Sequence, residues 1–265
     1  LLSESVKRKK LSEEEKVRLL KKVKTDASLE NISSSDLVIE AVFEDLNLKH
    51  NLYKKIEPHL KEGAILASNT STLPITKLSE VLADSTRFLG IHFFSPVDKM
   101  NLVELIKSER TSDNALAVAL DYTSLIKKTP IVVNDSRGFY ANRCIIPYIN
   151  EGLRMLSEGI EPALIENSAK QIGMPVGPLQ LLDELSVSLA LNVAKETKEA
   201  LGTKYEETGT ESILLEMSQK NRLGRKELAG FYEYDEKGRR LKLWEGLRNL
   251  NIGKNSADIS TVTIK

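Results

Sequence analysis

One histidine in this chain has the neighbours expected of a catalytic base. His92 lies within Gly90-Ile91-His92-Phe93-Phe94-Ser95-Pro96, at the end of an apolar run. Histidine is the side chain whose pKa lies nearest to neutral pH, so it is the usual acceptor of a proton from an alcohol. A histidine at the end of an apolar strand can equally be a hydrogen-bonded core residue, and the residue type alone leaves both interpretations open.

A glutamate inside a second apolar run is the natural partner for this histidine. Glu104 ends Asn101-Leu102-Val103-Glu104, and strand alternation places it on one face with Leu102 and Ile106. The carboxylate therefore either meets solvent at a sheet edge or is buried and paired. Beside His92, a buried carboxylate would fix the imidazole tautomer and stabilise the imidazolium that forms when the ring takes a proton.

Two further polar side chains could bind the oxygen of an alcohol. Ser71 lies in Ser68-Asn69-Thr70-Ser71-Thr72-Leu73, after a predicted strand, where a hydroxyl can instead cap the next helix. Asn142 follows Gly138-Phe139-Tyr140-Ala141, where an amide can be structural. A hydrolase with Ser71 as nucleophile is an alternative, but no Gly-x-Ser-x-Gly elbow presents that serine. Three scattered histidines and one cysteine make no metal-ligand spacing, so no metal site is expected.

Short apolar runs that alternate with helical segments position these residues. Strands are predicted near residues 36–42, 64–68, 87–93, 102–106 and 131–133, and helices over 45–60, 74–82 and 112–127. This alternation is typical of a parallel sheet with right-handed crossovers, in which active residues collect at the carboxyl ends of strands. Residues 1–24 are predicted to be helical, with a capping-box pattern at Ser12 to Glu15.

From residue 139 onward the apolar residues recur at helical spacing. Helices are predicted over 144–158, 161–172, 178–201 and 211–222, followed by a strand and turn at 230–238. Gly138 and the polar residues before it predict a hinge, which divides the chain into domains over 1–136 and 137–265. After Trp244 the sequence is polar and patternless, as expected of a frayed or cut end. The predicted fold class is α/β followed by all-α, a truncated Rossmann-type parallel sheet plus a C-terminal helical domain.

The composition excludes several classes of function. Lys plus Arg and Asp plus Glu number 38 each, so the net charge gives no reason to expect binding to nucleic acid or to an anionic membrane surface. The single cysteine, Cys144, cannot form an internal disulfide and fits a reducing, intracellular compartment. No apolar run approaches the roughly 18 residues needed to span a bilayer, and the basic N-terminus is not followed by the apolar core of a signal peptide.

Five phrases in a fixed order carry a family resemblance. They are Asp36–Asp45, His92–Met100, Gly138-Phe139-Tyr140, Gly173–Pro178, and Leu223–Lys226 ahead of Gly230-Phe231-Tyr232. Through them residues 36 to about 240 resemble the 3-hydroxyacyl-CoA dehydrogenase family. The nearest likeness is to the dehydrogenase part of the multifunctional α-subunit of fatty-acid oxidation complexes.

The resemblance implies roles for individual residues. His92 matches the family's catalytic base, Glu104 the acid paired with it, Ser71 the hydroxyl that binds the substrate's 3-oxygen, and Asn142 the amide that completes that site. Residues that match positions on the nicotinamide side of NAD are Ala41, Glu44, Lys49 and Asn69. The implied reaction is the NAD-dependent oxidation of (S)-3-hydroxyacyl-CoA to 3-ketoacyl-CoA in fatty-acid β-oxidation, in the bacterial cytoplasm or a β-oxidation organelle.

The resemblance also implies partners and exposes one departure from the family. The helical domain would close over the acyl chain and would form a homodimer interface, or it would belong to a larger β-oxidation complex. No Gly-x-Gly-x-x-Gly occurs in the sequence, although such a turn holds the pyrophosphate of the cofactor. We therefore expect residues 1–136 to be a partial NAD-binding domain, in a fragment with poor or no activity. The alternative is a folding or oligomerisation module.

Overall fold

A computed structural model of the protein describes residues 1–204 and 210–250, and the chain divides into two compact units, Leu1–Tyr140 and Ala141–Lys265. The strands of the first unit are β1 Leu37–Glu40, β2 Ile65–Ser68, β3 Phe88–Phe93, β4 Leu102–Lys107 and β5 Thr129–Asn134. Its α-helices are α1 Leu2–Lys7, α2 Glu13–Leu20, α3 Leu46–Ile56, α4 Ile75–Ser79 and α5 Asp113–Leu125. Short 3-10 helices span Leu29–Ser34, Glu57–His59 and Ser85–Arg87.

The strands described in the first unit form one sheet in the order β1-β2-β3-β4-β5. The pairs β1/β2, β2/β3 and β4/β5 are parallel, so the predicted α/β class with a mostly parallel, Rossmann-type sheet is confirmed. The expectation of a wholly parallel sheet is wrong at the β3/β4 pair, which is antiparallel. Only residues 94–101 join these two strands, fewer than the crossover of about a dozen residues that parallel neighbours need.

Apolar layers cover both faces of this sheet. On one face, buried sheet residues such as Phe88 and Ile106 pack with Tyr53 of α3 and with residues of α4. On the other face, the alternate sheet residues pack with Ala115 and Ala119 of α5. Because side chains alternate along a strand, His92 and Glu104 belong to the face of Phe88 and Ile106.

The short helix α4 receives its cap from a distant residue. The carboxylate of Asp135 accepts hydrogen bonds from the N–H groups of Ile75 and Thr76, each at 2.8 Å. The sequence left open whether Ser71 caps this helix, but the hydrogen bonds to its first turn come from Asp135. Residues just after β5 thus fix the start of α4, and Ser71 is left to the loop that precedes it.

The second unit is mainly helical. Its α-helices are α6 Ala141–Ser157, α7 Pro162–Gln171, α8 Pro178–Leu185, α9 Val187–Leu201 and α10 Glu211–Gln219. The predicted continuous helix over 178–201 is wrong, because the chain breaks at Ser186, whose φ is 88°. The Ser186 hydroxyl accepts a hydrogen bond from the N–H of Leu189 and so begins a new helix there.

The predicted strand and turn near residue 230 is the antiparallel pair β6 Tyr232–Tyr234 and β7 Arg240–Leu243. Three-residue 3-10 helices occupy Gly202–Lys204 and Arg225–Glu227, and a longer one spans Glu245–Asn249. Leu247 and Leu250 are buried in the helical core, so the chain is packed, not frayed, between Trp244 and residue 250. The rest of the predicted frayed end, residues 251–265, lies outside the described residues. In the part that is described, no helix is long and apolar enough to cross a membrane.

A buried aspartate holds the hairpin onto the helices of the second unit. Asp183 is 1% exposed and accepts hydrogen bonds from the N–H groups of Phe231, at 2.7 Å, and Tyr232, at 2.8 Å. Burial raises the pKa of Asp183 to about 6, although these hydrogen bonds and the charge of Arg222 oppose the shift. A Cβ atom at Gly230 would overlap this carboxylate, which explains the glycine of the Gly230-Phe231-Tyr232 phrase.

A second buried carboxylate, Glu166 of α7, also accepts hydrogen bonds from distant parts of the second unit. Glu166 accepts hydrogen bonds from the N–H of Leu179, at 2.8 Å, and from the hydroxyl of Tyr232, at 2.7 Å. A Cβ atom at Gly177 would overlap the Glu166 carboxylate. The glycines of these two family phrases therefore make room for buried acids.

Candidate active site

The antiparallel pair β3/β4 places His92 directly opposite Glu104. The imidazole Nδ1 and the carboxylate Oε2 are 2.7 Å apart, and the two side chains are 6% and 0% exposed. Because β4 lies between β3 and β5, the edge-strand interpretation of Glu104 is excluded and its predicted burial beside a partner is confirmed. A carboxylate only accepts, so Nδ1 carries the hydrogen and Nε2 is the nitrogen that can take a proton.

A backbone donor holds the other oxygen of the same carboxylate. The N–H of Tyr140 donates to Glu104 Oε1 over 3.0 Å. Two successive residues with left-handed backbone, Gly138 at φ 75° and Phe139 at φ 49°, turn the chain so that this N–H faces the sheet. The Phe139 ring also lies 5.9 Å from the imidazole of His92. The Gly138-Phe139-Tyr140 phrase thus forms a turn that orients the acid of the pair.

Ser71 lies in the loop after β2, defined here as residues 69–73. Since β2 and β3 are parallel, this loop and the end of β3 lie at the same edge of the sheet. The Asn69 side chain accepts a hydrogen bond from the N–H of Phe93 over 2.9 Å, which ties the loop to the residue after His92. Glu44 Oε1 accepts the N–H groups of Ser71 and Thr72, each at 2.9 Å.

The residues matched to the cofactor cluster at the ends of β1 and β2. Ala41 is exposed directly after β1, and the Glu44 side chain is 31% exposed. The Lys49 side chain is 1% exposed, and its ammonium lies 2.8 Å from Glu40 and 3.3 Å from Glu44. Burial by itself would raise the pKa of Glu44, but hydrogen bonds from Thr70 and the loop N–H groups, with the charge of Lys49, hold the pKa below its ordinary value.

The remaining predicted residue lies in the other unit. Asn142 is half-buried in the first turn of α6, whereas the pair and the loop belong to the first unit. The structure therefore brings His92 and Glu104 into direct contact, places Ser71 at the same sheet edge as His92, and leaves the role of Asn142 as a prediction.

Sequence reasoning missed three groups around this site. They are the buried carboxylate of Glu40, the capping carboxylate of Asp135 and the backbone N–H of Tyr140. Glu40 carries the same signal as Glu104, an acid inside an apolar run, and could have been found by the same argument. A backbone donor gives no signal in side-chain types.

Comparison with known proteins gives the family. A family described as "3-hydroxyacyl-CoA dehydrogenase, NAD binding domain" matches residues 1–136. The companion "3-hydroxyacyl-CoA dehydrogenase, C-terminal domain" matches residues 138–234. Together the two matches run across both structural units.

Solved structures agree with these matches. The (S)-3-hydroxybutyryl-CoA dehydrogenase PaaH1 from Ralstonia eutropha is 37% identical, with 89% of this chain and 83% of that chain covered and a TM-score of 0.79. FadB2 of M. tuberculosis is 31% identical, with 88% and 82% covered and a TM-score of 0.79. The dehydrogenase part of multifunctional enzyme 1 from C. elegans is 26% identical, with 99% and 59% covered and a TM-score of 0.64.

These matches oppose the serine hydrolase alternative, since the matched family is one of dehydrogenases. The chain belongs to the 3-hydroxyacyl-CoA dehydrogenase family of oxidoreductases, and its first part is matched by that family's NAD-binding domain.

Proposed function

We propose that the protein oxidises (S)-3-hydroxyacyl-CoA to 3-ketoacyl-CoA in fatty-acid β-oxidation, with NAD as the hydride acceptor. The buried contact of 2.7 Å between His92 and Glu104 is the observation that carries this proposal. The family match supplies the acyl-CoA substrate class, and the R. eutropha relative is a dehydrogenase of (S)-3-hydroxybutyryl-CoA, a four-carbon member of that class.

His92 acts as the general base in this proposal. Its Nε2 takes the proton from the 3-hydroxyl, and the imidazolium that forms is stabilised by Glu104, which holds the Nδ1–H. The hydroxyl of Ser71 and the amide of Asn142 bind the 3-oxygen of the substrate and orient C3. NAD, when bound, supplies the acceptor for the hydride that leaves C3.

The residues at the ends of β1 and β2 fit part of this cofactor. Glu44 and Asn69 offer a carboxylate and an amide at the carboxyl edge of parallel strands, groups suited to the polar substituents of a nicotinamide riboside. Ala41 and Lys49 complete the proposed set, with Lys49 acting through its contact with Glu44. This sequence contains no Gly-x-Gly-x-x-Gly turn for a pyrophosphate, so the fit covers the nicotinamide side alone.

The assay that tests the proposal is NADH oxidation with acetoacetyl-CoA, followed by absorbance. We expect slow turnover by the wild-type chain, because the catalytic residues are present but the glycine-rich turn is not, and a further loss of at least about 10²-fold in His92→Gln, because a general base is removed. His59→Gln is the matched control, since His59 lies in a 3-10 helix away from the strands of the pair. A wild-type chain without turnover, or a His92→Gln variant with a near-normal rate, contradicts the proposal.

The domain organisation is part of the same proposal. We place a partial NAD-binding domain at residues 1–136 and a helical dehydrogenase domain at 137–265, the latter closing over the acyl chain and forming a homodimer. The finer likeness to the dehydrogenase part of multifunctional enzymes draws on the C. elegans structure, which matches 99% of this chain at 26% identity, whereas the R. eutropha and M. tuberculosis structures match at higher identity.

A second candidate function is that of a folding or oligomerisation module. It is favoured by the lack of a glycine-rich turn in these 265 residues. Sedimentation and NADH titration separate the two candidates. A dimer whose mass is independent of concentration and that binds no NADH supports the module, whereas saturable NADH binding supports the dehydrogenase.

A further inference from the structure

A buried carboxylate outside the proposed catalytic set lies at the centre of a polar network in the first unit. Glu40, the last residue of β1, has a fully buried side chain. Its Oε1 accepts from the Val42 N–H at 2.7 Å and from the Lys49 ammonium at 2.8 Å. Its Oε2 accepts from the Tyr53 hydroxyl at 2.6 Å and the Ser68 hydroxyl at 2.8 Å.

A charged route leads from Glu40 to the loop that carries Ser71. The ammonium of Lys49 lies between Glu40 and Glu44, at 2.8 Å and 3.3 Å. One oxygen of Glu44, Oε1, in turn accepts hydrogen bonds from the N–H groups of Ser71 and Thr72 and from the hydroxyl of Thr72. The backbone of the 69–73 loop is therefore fastened to an anion whose own position depends on Lys49.

A neutral route leads from Glu40 to the same loop. The Ser68 hydroxyl donates to Glu40 and accepts the N–H of Thr70 over 3.2 Å. The backbone adds a third tie, because the N–H of Asn69 donates to the carbonyl of Glu40 over 2.8 Å. Consecutive N–H groups from 69 to 72 are thus linked to Glu40: at 69 directly, at 70 through Ser68, and at 71 and 72 through Glu44 and Lys49.

We propose that Glu40 is a positioning residue for Ser71, fixing the 69–73 loop through Lys49–Glu44 on one side and through Ser68 on the other. This inference rests on the proposed function, in which the Ser71 hydroxyl binds the 3-oxygen of the substrate. The Val42 N–H and the Tyr53 hydroxyl already give each oxygen of the buried Glu40 carboxylate a donor. The two further routes, both of which end on the 69–73 loop, therefore do more than satisfy the buried charge.

The perturbation is Glu40→Gln, which keeps the shape but replaces one accepting oxygen by a donor. If the NH₂ group faces Lys49 and Val42, which can only donate, the charged route is broken. If it faces Tyr53 and Ser68, their hydroxyls can rotate to accept, but Lys49 then lies against a neutral amide oxygen and loses its anionic partner at residue 40. The charged route is therefore broken or weakened in both orientations. Tyr53→Phe is the matched control, because it removes one buried bond to Glu40 but none of the hydrogen bonds or ion pairs that make up the two routes.

Two readouts follow the loop. In spectra of protein labelled with ¹⁵N-serine and ¹⁵N-threonine, the amide signals of Thr70, Ser71 and Thr72 should move in Glu40→Gln and keep their positions in Tyr53→Phe. In the acetoacetyl-CoA assay, kcat/KM should fall by about 10–100-fold in Glu40→Gln, as expected when a binding group is displaced by a fraction of an ångström to 1 Å, and should stay near normal in Tyr53→Phe.

Ser71→Ala separates this proposal from the proposed function. A drop in kcat/KM for Ser71→Ala together with unmoved amides and normal turnover in Glu40→Gln would overturn the positioning role and leave the function standing. If the amide signals shift in Glu40→Gln but Ser71→Ala keeps full activity, Ser71 has no role in the reaction. The hydrogen-bond network of Glu40 then positions the loop without serving catalysis, and the proposal is overturned. Where Glu40→Gln does not fold, Ser68→Ala breaks the neutral route alone. The Thr70 and Ser71 amides must then move for the proposal to survive.

Discussion

Glu104→Gln is the substitution that tests the proposed pair most sharply. The two oxygens of the wild-type carboxylate accept, one each, from the Nδ1–H of His92 and the N–H of Tyr140, among their partners. Glutamine has the same shape, but it offers one accepting oxygen and one NH₂ group. In a side chain that is 0% exposed, one donor must therefore face another donor.

Both orientations of the glutamine are harmful, in different ways. With the amide oxygen on His92, the buried N–H of Tyr140 loses its acceptor, which costs about 1–3 kcal/mol of stability. The imidazolium also loses a charge-assisted bond of about 1.5–3 kcal/mol, and a barrier raised by that amount lowers kcat about 10–100-fold. With the NH₂ group on Nδ1, the His92 ring must carry its hydrogen on Nε2 and cannot accept a proton there, so the loss is larger.

The assay combines turnover with the spectrum of the ring. The chain has three histidines, so ¹⁵N-histidine labelling resolves each imidazole and reports which nitrogen of His92 carries the hydrogen. We expect Glu104→Gln to lose at least about tenfold in kcat and to shift the His92 signals alone, while the exposed control Glu109→Gln changes neither. A folded Glu104→Gln variant with a rate within about twofold of wild type would refute this account of the pair, because even one charge-assisted bond exceeds that effect.

Three further substitutions test the surrounding structure. Gly138→Ala, at φ 75°, should lose about 1 kcal/mol in urea unfolding and should also lower kcat, because the turn delivers the N–H that holds Glu104. Gly230→Ala should lose about 3 kcal/mol, since its Cβ would overlap Asp183, whereas Gly63→Ala, in open space, should lose about 1 kcal/mol in the same unfolding experiment. The pKa of Asp183 is raised from 3.8 to about 6, so its contribution to stability is greatest below pH 4 and is lost as the pH rises to 6. Measured by urea unfolding, the stability of wild type relative to Asp183→Asn should therefore fall by about 2 kcal/mol between pH 4 and pH 7, and a constant difference would contradict the shift.

Much of the first unit could be predicted from local pattern. Each predicted strand exists, and the burial of Glu104 followed from its place in an apolar run. The same argument holds for Glu40, the second buried acid.

The errors came from contacts between residues that are distant in sequence. Periodicity predicted one helix over 178–201, and nothing in the apolar spacing signals the break at Ser186, where φ is 88°. The cap of α4 comes from Asp135, 60 positions from Ile75, so a local capping rule could not identify it. Such features depend on how the chain returns to itself, which single-sequence patterns do not contain.

The reversed direction of β4 determines the geometry of the candidate site. In an antiparallel pair, residues directly opposite each other have Cβ atoms about 4.5–5.5 Å apart on the same face. This is close enough for an imidazole and a carboxylate to meet at 2.7 Å. A slip of one residue would turn Glu104 away from His92, to the face that packs against Ala115 and Ala119. Tyr140 opposes such a slip, because its N–H bonds Glu104 from a different part of the chain. The turn at Gly138 and Phe139 therefore helps to fix the register of β4, because it delivers the N–H that binds Glu104.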